Sequence, residues 1–157
     1  MKPLAIGCVL LFFKISFSQG SSKKIAESHL DIILNEWHMD AARSNLFEYF
    51  DLMSEDFVFL GTDPKERWLK NEFMVFCEPY FQKKQTWDFK PIERHWTVLK
   101  KNKMYCFDER IDTWMGDCRG SGVFIKTRKG WKISSYNLSV LIENEKINEF
   151  IKLRQNG

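Results

Sequence analysis

A charged pair on a predicted β-hairpin is the strongest chemical signal in this sequence. Alternating apolar and polar residues predict strands over 92–99 and 104–113, joined by the polar turn 100–103. Pairing the strands across that turn places Glu109 among apolar side chains, on the face expected to be buried, and sets Arg94 directly opposite. A buried carboxylate needs a partner, and an arginine can hold it ionised through two parallel hydrogen bonds.

The same register satisfies both faces of the hairpin. One face is apolar apart from Arg94 and Glu109, whereas the other is polar and carries complementary charges. A shift of one residue would exchange the two faces, so the pattern itself fixes the register. The expected opposite pairs are Ile92–Ile111, Glu93–Arg110, Arg94–Glu109, His95–Asp108, Trp96–Phe107, Thr97–Cys106 and Val98–Tyr105.

His38 is a second residue whose type suits acid–base chemistry. It follows Trp37 on a helix predicted over 23–43, one step round from the apolar stripe of that helix. An imidazole at such a place is either a hydrogen-bonded wall residue or a group that exchanges protons with a ligand, and both interpretations stay open. A histidine metal site is not expected, because His95 falls on the polar face of the hairpin.

Helices precede a run of strands along the chain, which predicts a single α+β domain. Asp63 and Pro64 indicate the start of a third helix, since aspartate caps exposed amides and proline favours the first helical position. Pro79 is expected to bar continuation of that helix. The expected elements are helix 23–43, helix 46–53, strand 56–60, helix 65–76, strand 92–99, strand 104–113, strand 119–127, strand 131–140 and helix 145–153.

Two short motifs predict how these elements are joined. Asp63 and Glu66 have the spacing of a capping box, which explains both residues without a functional role. Gly130 is expected in the left-handed region within a three-residue turn. That turn would set Ile125 beside Ile133.

Composition and missing motifs exclude several functions. The net charge of +3 comes from acidic and basic residues that are interspersed, so no nucleic-acid surface is expected. The sequence has no catalytic triad, phosphate-binding glycine loop or cluster with metal-ligand spacing, so we expect no cofactor and no metal. Gly120-Ser121-Gly122 leads into a strand instead of opening a helix, and its glycines are interpreted as thinning the sheet.

The first eighteen residues predict a cleaved secretory signal. Lys2 precedes an apolar run over 4–13, and small residues precede the expected cleavage site near Ser18 and Gln19. The run is too short to span a bilayer, so no membrane anchor is expected after cleavage. The mature chain, 19–157, would be periplasmic or secreted. Its odd number of cysteines leaves at least one thiol free and permits one disulfide: Cys77, Cys106 and Cys118.

Three segments follow one another in a familiar order. The first is 37–42 followed by 49–50, the second is 59–68, and the third is 120–123 leading to 130–133 and 136–139. Together they extend over essentially the whole mature chain, from the first helix to the last strand. On these residues the chain resembles the SnoaL-like family of the nuclear transport factor 2-like superfamily. The resemblance implies a cone, in which a bent antiparallel sheet has its concave face covered by helices around a cavity.

An expected cavity gives the charged pair alternative roles. Arg94 and Glu109 either satisfy only each other or line the cavity floor and present charge to a ligand. A lone glutamate of raised proton affinity could act as a general base, but Arg94 argues against that role for Glu109. Candidate catalytic residues are therefore His38 and Glu109, and candidate ligand-binding residues are Trp37, His38, Trp68, Arg94, Glu109, Arg119 and Tyr136.

Three functions agree with this resemblance. The first is an exported domain that binds a small, partly apolar molecule. The second is a cavity enzyme, because the resemblance extends to polyketide cyclases, ketosteroid isomerases and dehydratases. The third is an interaction module that forms a homodimer through its outer sheet face without ligand chemistry. The fold alone does not choose among them.

Overall fold

The computed structural model describes residues 15–155. The predicted signal peptide lies outside these residues except at its last four positions, and its cleavage stays a prediction. No helix within the described residues is both long and apolar enough to cross a membrane. The elements are α1 (Ile15–Ala42), α2 (Leu46–Asp51), β1 (Met53–Leu60), β2 (Arg67–Leu69), α3 (Lys70–Gln82), β3 (Lys90–Lys100), β4 (Met104–Thr113), β5 (Gly116–Thr127), β6 (Gly130–Val140), a 3-10 turn (Asn144–Lys146) and α4 (Ile147–Gln155).

The chain divides into two units, each described by itself. The first ends at Leu34 and contains the earlier part of α1, whereas the second begins at Asn35 and contains every later element. Along α1 the side chains of Leu30, Leu34, Trp37 and Ala41 are buried at helical spacing. The predicted apolar stripe of this helix is therefore present.

The second unit is built on a curved, open sheet of six strands in the order β2-β1-β6-β5-β4-β3. The neighbouring strands are antiparallel, as predicted, except for β1 and β6, which are parallel. The register is interrupted within β1, within β3 and between β5 and β6. Such bulges bend strands and so contribute to the curvature of a sheet.

The β3–β4 hairpin confirms the predicted register over 93–98, where all six expected pairs form. Asn102 supplies the turn with a φ of 55°, a left-handed conformation that asparagine tolerates. The expected Ile92–Ile111 pair is wrong, because a bulge at Ile92 lets Pro91 face Ile111 instead. The face that Glu109 shares with Arg94 is nevertheless the one that the alternation predicts.

The helix predicted over 65–76 is present from Lys70 onward, but its predicted start at residue 65 is wrong. Residues 63–66 form a tight turn, in which the amide of Glu66 donates to the carbonyl of Asp63 at 2.9 Å. The chain then pairs with β1 as strand β2, and this places Trp68 on a strand instead of a helix. The capping-box residues are real hydrogen-bonding partners, but they close a turn between two strands. Helix α3 begins only at Lys70.

Pro79 lies inside α3 and does not end it, contrary to expectation. Proline removes one helical hydrogen bond, which costs stability but does not forbid the helix when tertiary packing holds it. Phe73, Cys77 and Phe81 are buried at a spacing of four residues, so the buried stripe of α3 continues past Pro79. Packing of this stripe accounts for the longer helix.

The turn between β5 and β6 is one residue shorter than predicted. Thr127 faces Gly130 directly, so the expected Ile125–Ile133 pair is wrong and Phe124 lies opposite Ile133. Gly130 does have a positive φ, 114°, as predicted. The three described cysteines are all free, so no disulfide forms among them.

Two rows of residues cross the sheet on its inner face and organise the site. The residues of each row occupy paired positions on successive strands. The first row consists of Trp68, Phe59, Tyr136, Gly122, Phe107 and Trp96. In the second row, Leu138, Gly120, Glu109 and Arg94 follow one another from β6 to β3.

Candidate functional site

Glu109 is the centre of a sealed polar cluster. Its side chain is 0 % exposed and accepts four hydrogen bonds. Oε2 accepts from Nε and Nη2 of Arg94 at 2.9 and 2.7 Å. Oε1 lies 2.8 Å from Nε2 of His38 and accepts from the hydroxyl of Tyr136 at 2.9 Å. Both carboxylate oxygens are therefore satisfied by protein groups.

The cluster fixes the ionisation of Glu109. Burial alone would raise the pKa of this carboxyl, but hydrogen bonds from His38 and Arg94 and the charge of Arg94 lower the pKa from 4.5 to about 2. Burial and the neighbouring Glu109 carboxylate raise the pKa of Tyr136 well above 10. Glu109 is thus an anion that only accepts hydrogen bonds, and Tyr136 is a neutral donor.

This assignment also fixes the tautomer of His38. An ionised Glu109 has no proton to donate, so Nε2 of His38 must carry the proton that they share. In the neutral imidazole, Nδ1 is then an acceptor. Nδ1 makes no hydrogen bond to any described residue. Among the described residues, Nε of Arg110 is the only fully buried side-chain nitrogen or oxygen without a hydrogen bond, so Nδ1 of His38 is not fully buried. His38 lines the cavity described below, and Nδ1 is its ring nitrogen without a protein partner among the described residues.

Gly120 makes the contact between Tyr136 and Glu109 possible. Tyr136 lies on β6 and Glu109 on β4, with β5 between them. A Cβ atom at position 120 would lie 2.1 Å from the Tyr136 hydroxyl oxygen and 3.0 Å from Cγ of Glu109. A glycine in a strand often marks such a close approach. The absence of a side chain at Gly120 thus leaves the space through which Tyr136 reaches Glu109.

A cavity of about 420 Å³ opens beside the cluster within the second unit. Eleven of its nineteen lining residues are aromatic, and Trp114, which is 83 % exposed, is among them. The lining residues are Trp37, His38, Tyr49, Phe59, Gly61, Thr62, Glu66, Trp68, Phe73, Phe76, Tyr80, Gln85, Thr86, Trp87, Phe89, Trp114, Met115, Tyr136 and Leu138.

Part of the cavity wall is a series of nearly parallel rings. Phe59 is stacked on Phe73 at 4.1 Å between centroids, with 8° between the planes. Phe59 also lies nearly parallel to Trp68 at 5.9 Å and to Tyr136 at 6.3 Å. Trp68 in turn stacks on Phe76 at 4.4 Å. The series therefore leads from the ring beside His38 to the rings on β2 and α3.

The structure separates the predicted site residues into three groups. Trp37, His38, Trp68 and Tyr136 line the cavity. Arg94 and Glu109 do not, because they lie behind His38 and Tyr136 and are 7 % and 0 % exposed. The prediction that this pair presents charge directly to a ligand is corrected, and a role for Glu109 as general base does not fit its saturated, acidic carboxylate.

Arg119 forms the third group, and its predicted place in the cavity is wrong. It lies on the outer face of β5, is 46 % exposed, and donates to Asp108 at 3.2 Å. The alternation along β5 explains this placement, because the neighbours Cys118 and Gly120 are the buried residues. Arg119 is therefore not a cavity residue.

Sequence reasoning missed several lining residues, of which Glu66 is the most important chemically. Its spacing from Asp63 indicated a capping role, and the predicted helix concealed the alternation that turns Glu66 and Trp68 to the same side. Trp87, Phe89 and Trp114 were missed because they lie in segments with no predicted element. Within the described chain, no group of three or more potential ligands is placed to hold a metal ion.

The model of the SnoaL-like domain matches residues 31–143. This stretch covers more than half of the chain and contains the cluster and every described residue that lines the cavity. The protein therefore belongs to the SnoaL-like family, within the nuclear transport factor 2-like superfamily. No curated protein sequence matches the chain significantly.

Solved structures support the same fold. A domain of unknown function with a cystatin-like fold from Nostoc punctiforme is 13 % identical, with a TM-score of 0.66 over 82 % of this chain and 85 % of its own. A nuclear transport factor 2-like protein of unknown function from Pseudomonas putida is also 13 % identical, with a TM-score of 0.60 over 78 % and 92 %. A protein from Novosphingobium aromaticivorans, provisionally assigned as a scytalone dehydratase, is 7 % identical, with a TM-score of 0.65 over 78 % and 89 %. At these identities the likeness shows the fold alone.

Proposed function

We propose that this SnoaL-like domain binds a small, largely aromatic or apolar molecule in the cavity and anchors it by a hydrogen bond from the ligand to His38. The observation that carries this proposal is the unpaired Nδ1 of His38 in an aromatic wall, while Nε2 of the same ring is held by Glu109. A ring fixed in this way offers one acceptor of defined position.

The size and composition of the cavity suit such a ligand. Its volume of about 420 Å³ lies in the range of about 300–1,000 Å³ that small-molecule pockets occupy. Aromatic walls favour planar apolar ligands through burial of surface and through offset stacking. One well-placed polar group among apolar side chains gives orientation and specificity.

The test compares 3-tert-butylphenol with its methyl ether, 3-tert-butylanisole, by isothermal titration calorimetry. Only the phenol can donate to Nδ1, so we expect it to bind about tenfold more tightly, the effect of roughly one hydrogen bond. His38→Met should remove this preference, and His95→Met, on the exposed outer face, should keep it. Equal affinities for phenol and ether in the unmodified protein, or no binding of either, would contradict the proposal.

A second candidate function, general acid–base catalysis, is favoured by the pairing of His38 with Glu109. A buried carboxylate that orients an imidazole also stabilises the imidazolium that forms when Nδ1 accepts a proton. In this candidate His38 is the base, Glu109 orients it, and the hydroxyl of Tyr136 helps to hold Glu109. The resemblance to ketosteroid isomerases, which use an acid or base within such a cavity, makes proton abstraction next to a carbonyl the class of reaction to test.

Exchange of carbon-bound protons tests this second candidate. The acidic protons of 2-tetralone can be followed by NMR in D₂O, with the protein or its His38→Met variant present. A general base at Nδ1 should accelerate exchange by about a hundredfold or more over the variant, the usual contribution of such a group. Equal rates in the two proteins would leave binding alone as the function.

A further inference from the structure

Glu66 gives the described cavity wall a negative charge that no lining lysine or arginine balances. Among the described lining residues it is the only aspartate, glutamate, lysine or arginine. Its neighbours Lys65 and Arg67 are exposed and are absent from that wall. Aromatic walls of low polarity screen charge less than water does, so they strengthen the field of an unbalanced carboxylate. The wall therefore disfavours anions and favours cations at this place.

Local structure holds the Glu66 side chain against the sheet. The amide of Gly61 donates to the carbonyl of Glu66 at 2.8 Å, which continues the pairing of β1 with β2 by one step. Oε2 of Glu66 accepts from the amide of Asp63 at 3.1 Å. A Cβ atom at position 61 would lie 2.1 Å from that same Oε2, so only a glycine leaves room for the carboxylate. Oε1 has no hydrogen-bonding partner among the described residues.

Aromatic rings surround the same end of the cavity. Trp68 lies two residues after Glu66, and both side chains line the cavity, as alternate residues of an extended segment should. Phe59 and Phe76 are both neighbours of Trp68, at 5.9 and 4.4 Å between ring centroids. Ring faces attract cations, and a carboxylate beside several rings is a general way to bind an organic ammonium group.

We infer that the cavity selects ligands with a positively charged nitrogen, such as an aryl or alkyl ammonium, and holds that nitrogen between Glu66 and the ring of Trp68. The inference rests on the proposed function and adds a second anchor to it. The series of rings from Tyr136 through Phe59 to Trp68 separates this anchor from His38. A matching ligand has a hydrogen-bond donor at one end, an aromatic or apolar body, and a cation at the other end.

Two isosteres isolate the charge. 3-(Trimethylammonio)phenol and 3-tert-butylphenol have nearly the same shape and the same donor, but only the first carries a positive charge. Calorimetric titration of the full-length protein should show that the cation binds about tenfold more tightly than the neutral phenol. Glu66→Gln keeps an acceptor for the amide of Asp63 and removes the charge, so the two phenols should then bind about equally. Glu93→Gln, an exposed residue of the same type on β3, should keep the preference.

The outcomes distinguish this inference from the function on which it rests. If the neutral phenol binds as tightly as the cation in the unmodified protein, the cation site is overturned and the cavity function stands. A preference that survives Glu66→Gln also overturns it, because the charge then lies elsewhere. If neither phenol binds, both proposals fail together.

Discussion

Each face of the sheet at β4 carries an arginine paired with a carboxylate, but the surroundings of the two pairs differ. On the inner face, Arg94 and Glu109 are 7 % and 0 % exposed and meet through two hydrogen bonds of 2.7 and 2.9 Å. On the outer face, Arg119 and Asp108 are 46 % and 48 % exposed and meet through one contact of 3.2 Å. Both pairs join an arginine to a carboxylate on adjacent strands, so the difference between them is mainly burial.

The comparison shows how burial changes the meaning of an ion pair. An exposed pair is screened by water and salt and contributes about 0–1 kcal/mol to the free energy of unfolding. A buried pair is not a large net gain, because desolvation offsets the attraction, but removal of one partner leaves a charge without compensation. The inner pair should therefore be sensitive to substitution, and the outer pair should tolerate it.

The largest expected effect is that of removing the inner carboxylate. Glu109→Gln removes the buried negative charge that faces Arg94 and accepts four hydrogen bonds, so the free energy of unfolding should fall by about 3–5 kcal/mol. Asp108→Asn makes the matched change on the outer face and should alter it by at most about 0.5 kcal/mol. Urea denaturation measures both. Similar losses in the two variants would show that burial does not separate the faces.

Acid should remove much of this difference. Because the pKa of Glu109 is lowered in the folded protein, its stabilisation is fully present above the unfolded value of 4.5 and is lost as pH falls towards 2. The gap in unfolding free energy between the unmodified protein and Glu109→Gln should narrow by about 3 kcal/mol over this window. Urea titrations repeated at stepwise lower pH measure the gap. A constant gap would contradict a depressed pKa.

A smaller effect is expected for the hydroxyl that completes the cluster. Tyr136→Phe removes one hydrogen bond to a buried carboxylate and should lower the free energy of unfolding by about 2 kcal/mol. Tyr80→Phe is the control, because the described residues offer the Tyr80 hydroxyl no partner and the residue is 43 % exposed. Equal values for the two variants would place Tyr136 outside the cluster.

The inner pair could be predicted from the sequence because two independent patterns agreed on one register. Apolar alternation placed Glu109 inside, and complementary charges on the opposite face required the same pairing. The pair at Ile92 failed, since a bulge inserts one residue without changing composition. The local sequence pattern thus predicts the register of the hairpin from 93 to 98, but not beyond the bulge at Ile92.

Other parts of the site depend on contacts that local patterns do not carry. The hydrogen bond between His38 and Glu109 joins residues 71 positions apart, and it follows from where the helix packs on the sheet. The segment 63–69 contains a true capping signal, but pairing with β1 outweighed it. The capping signal therefore predicts a helix start at Glu66, whereas in the structure Glu66 and Trp68 alternate as in a strand and both line the cavity.

Gly120 makes the evolution of Tyr136 and Glu109 interdependent. Any larger residue there would collide with the hydroxyl of Tyr136, which reaches across β5 to Glu109. A descendant of this protein could therefore acquire a side chain at 120 only after giving up the tyrosine, and it could regain the tyrosine only after restoring the glycine. Across relatives, positions 109, 120 and 136 should change in concert, and an aligned set of sequences would reveal them as one inherited unit.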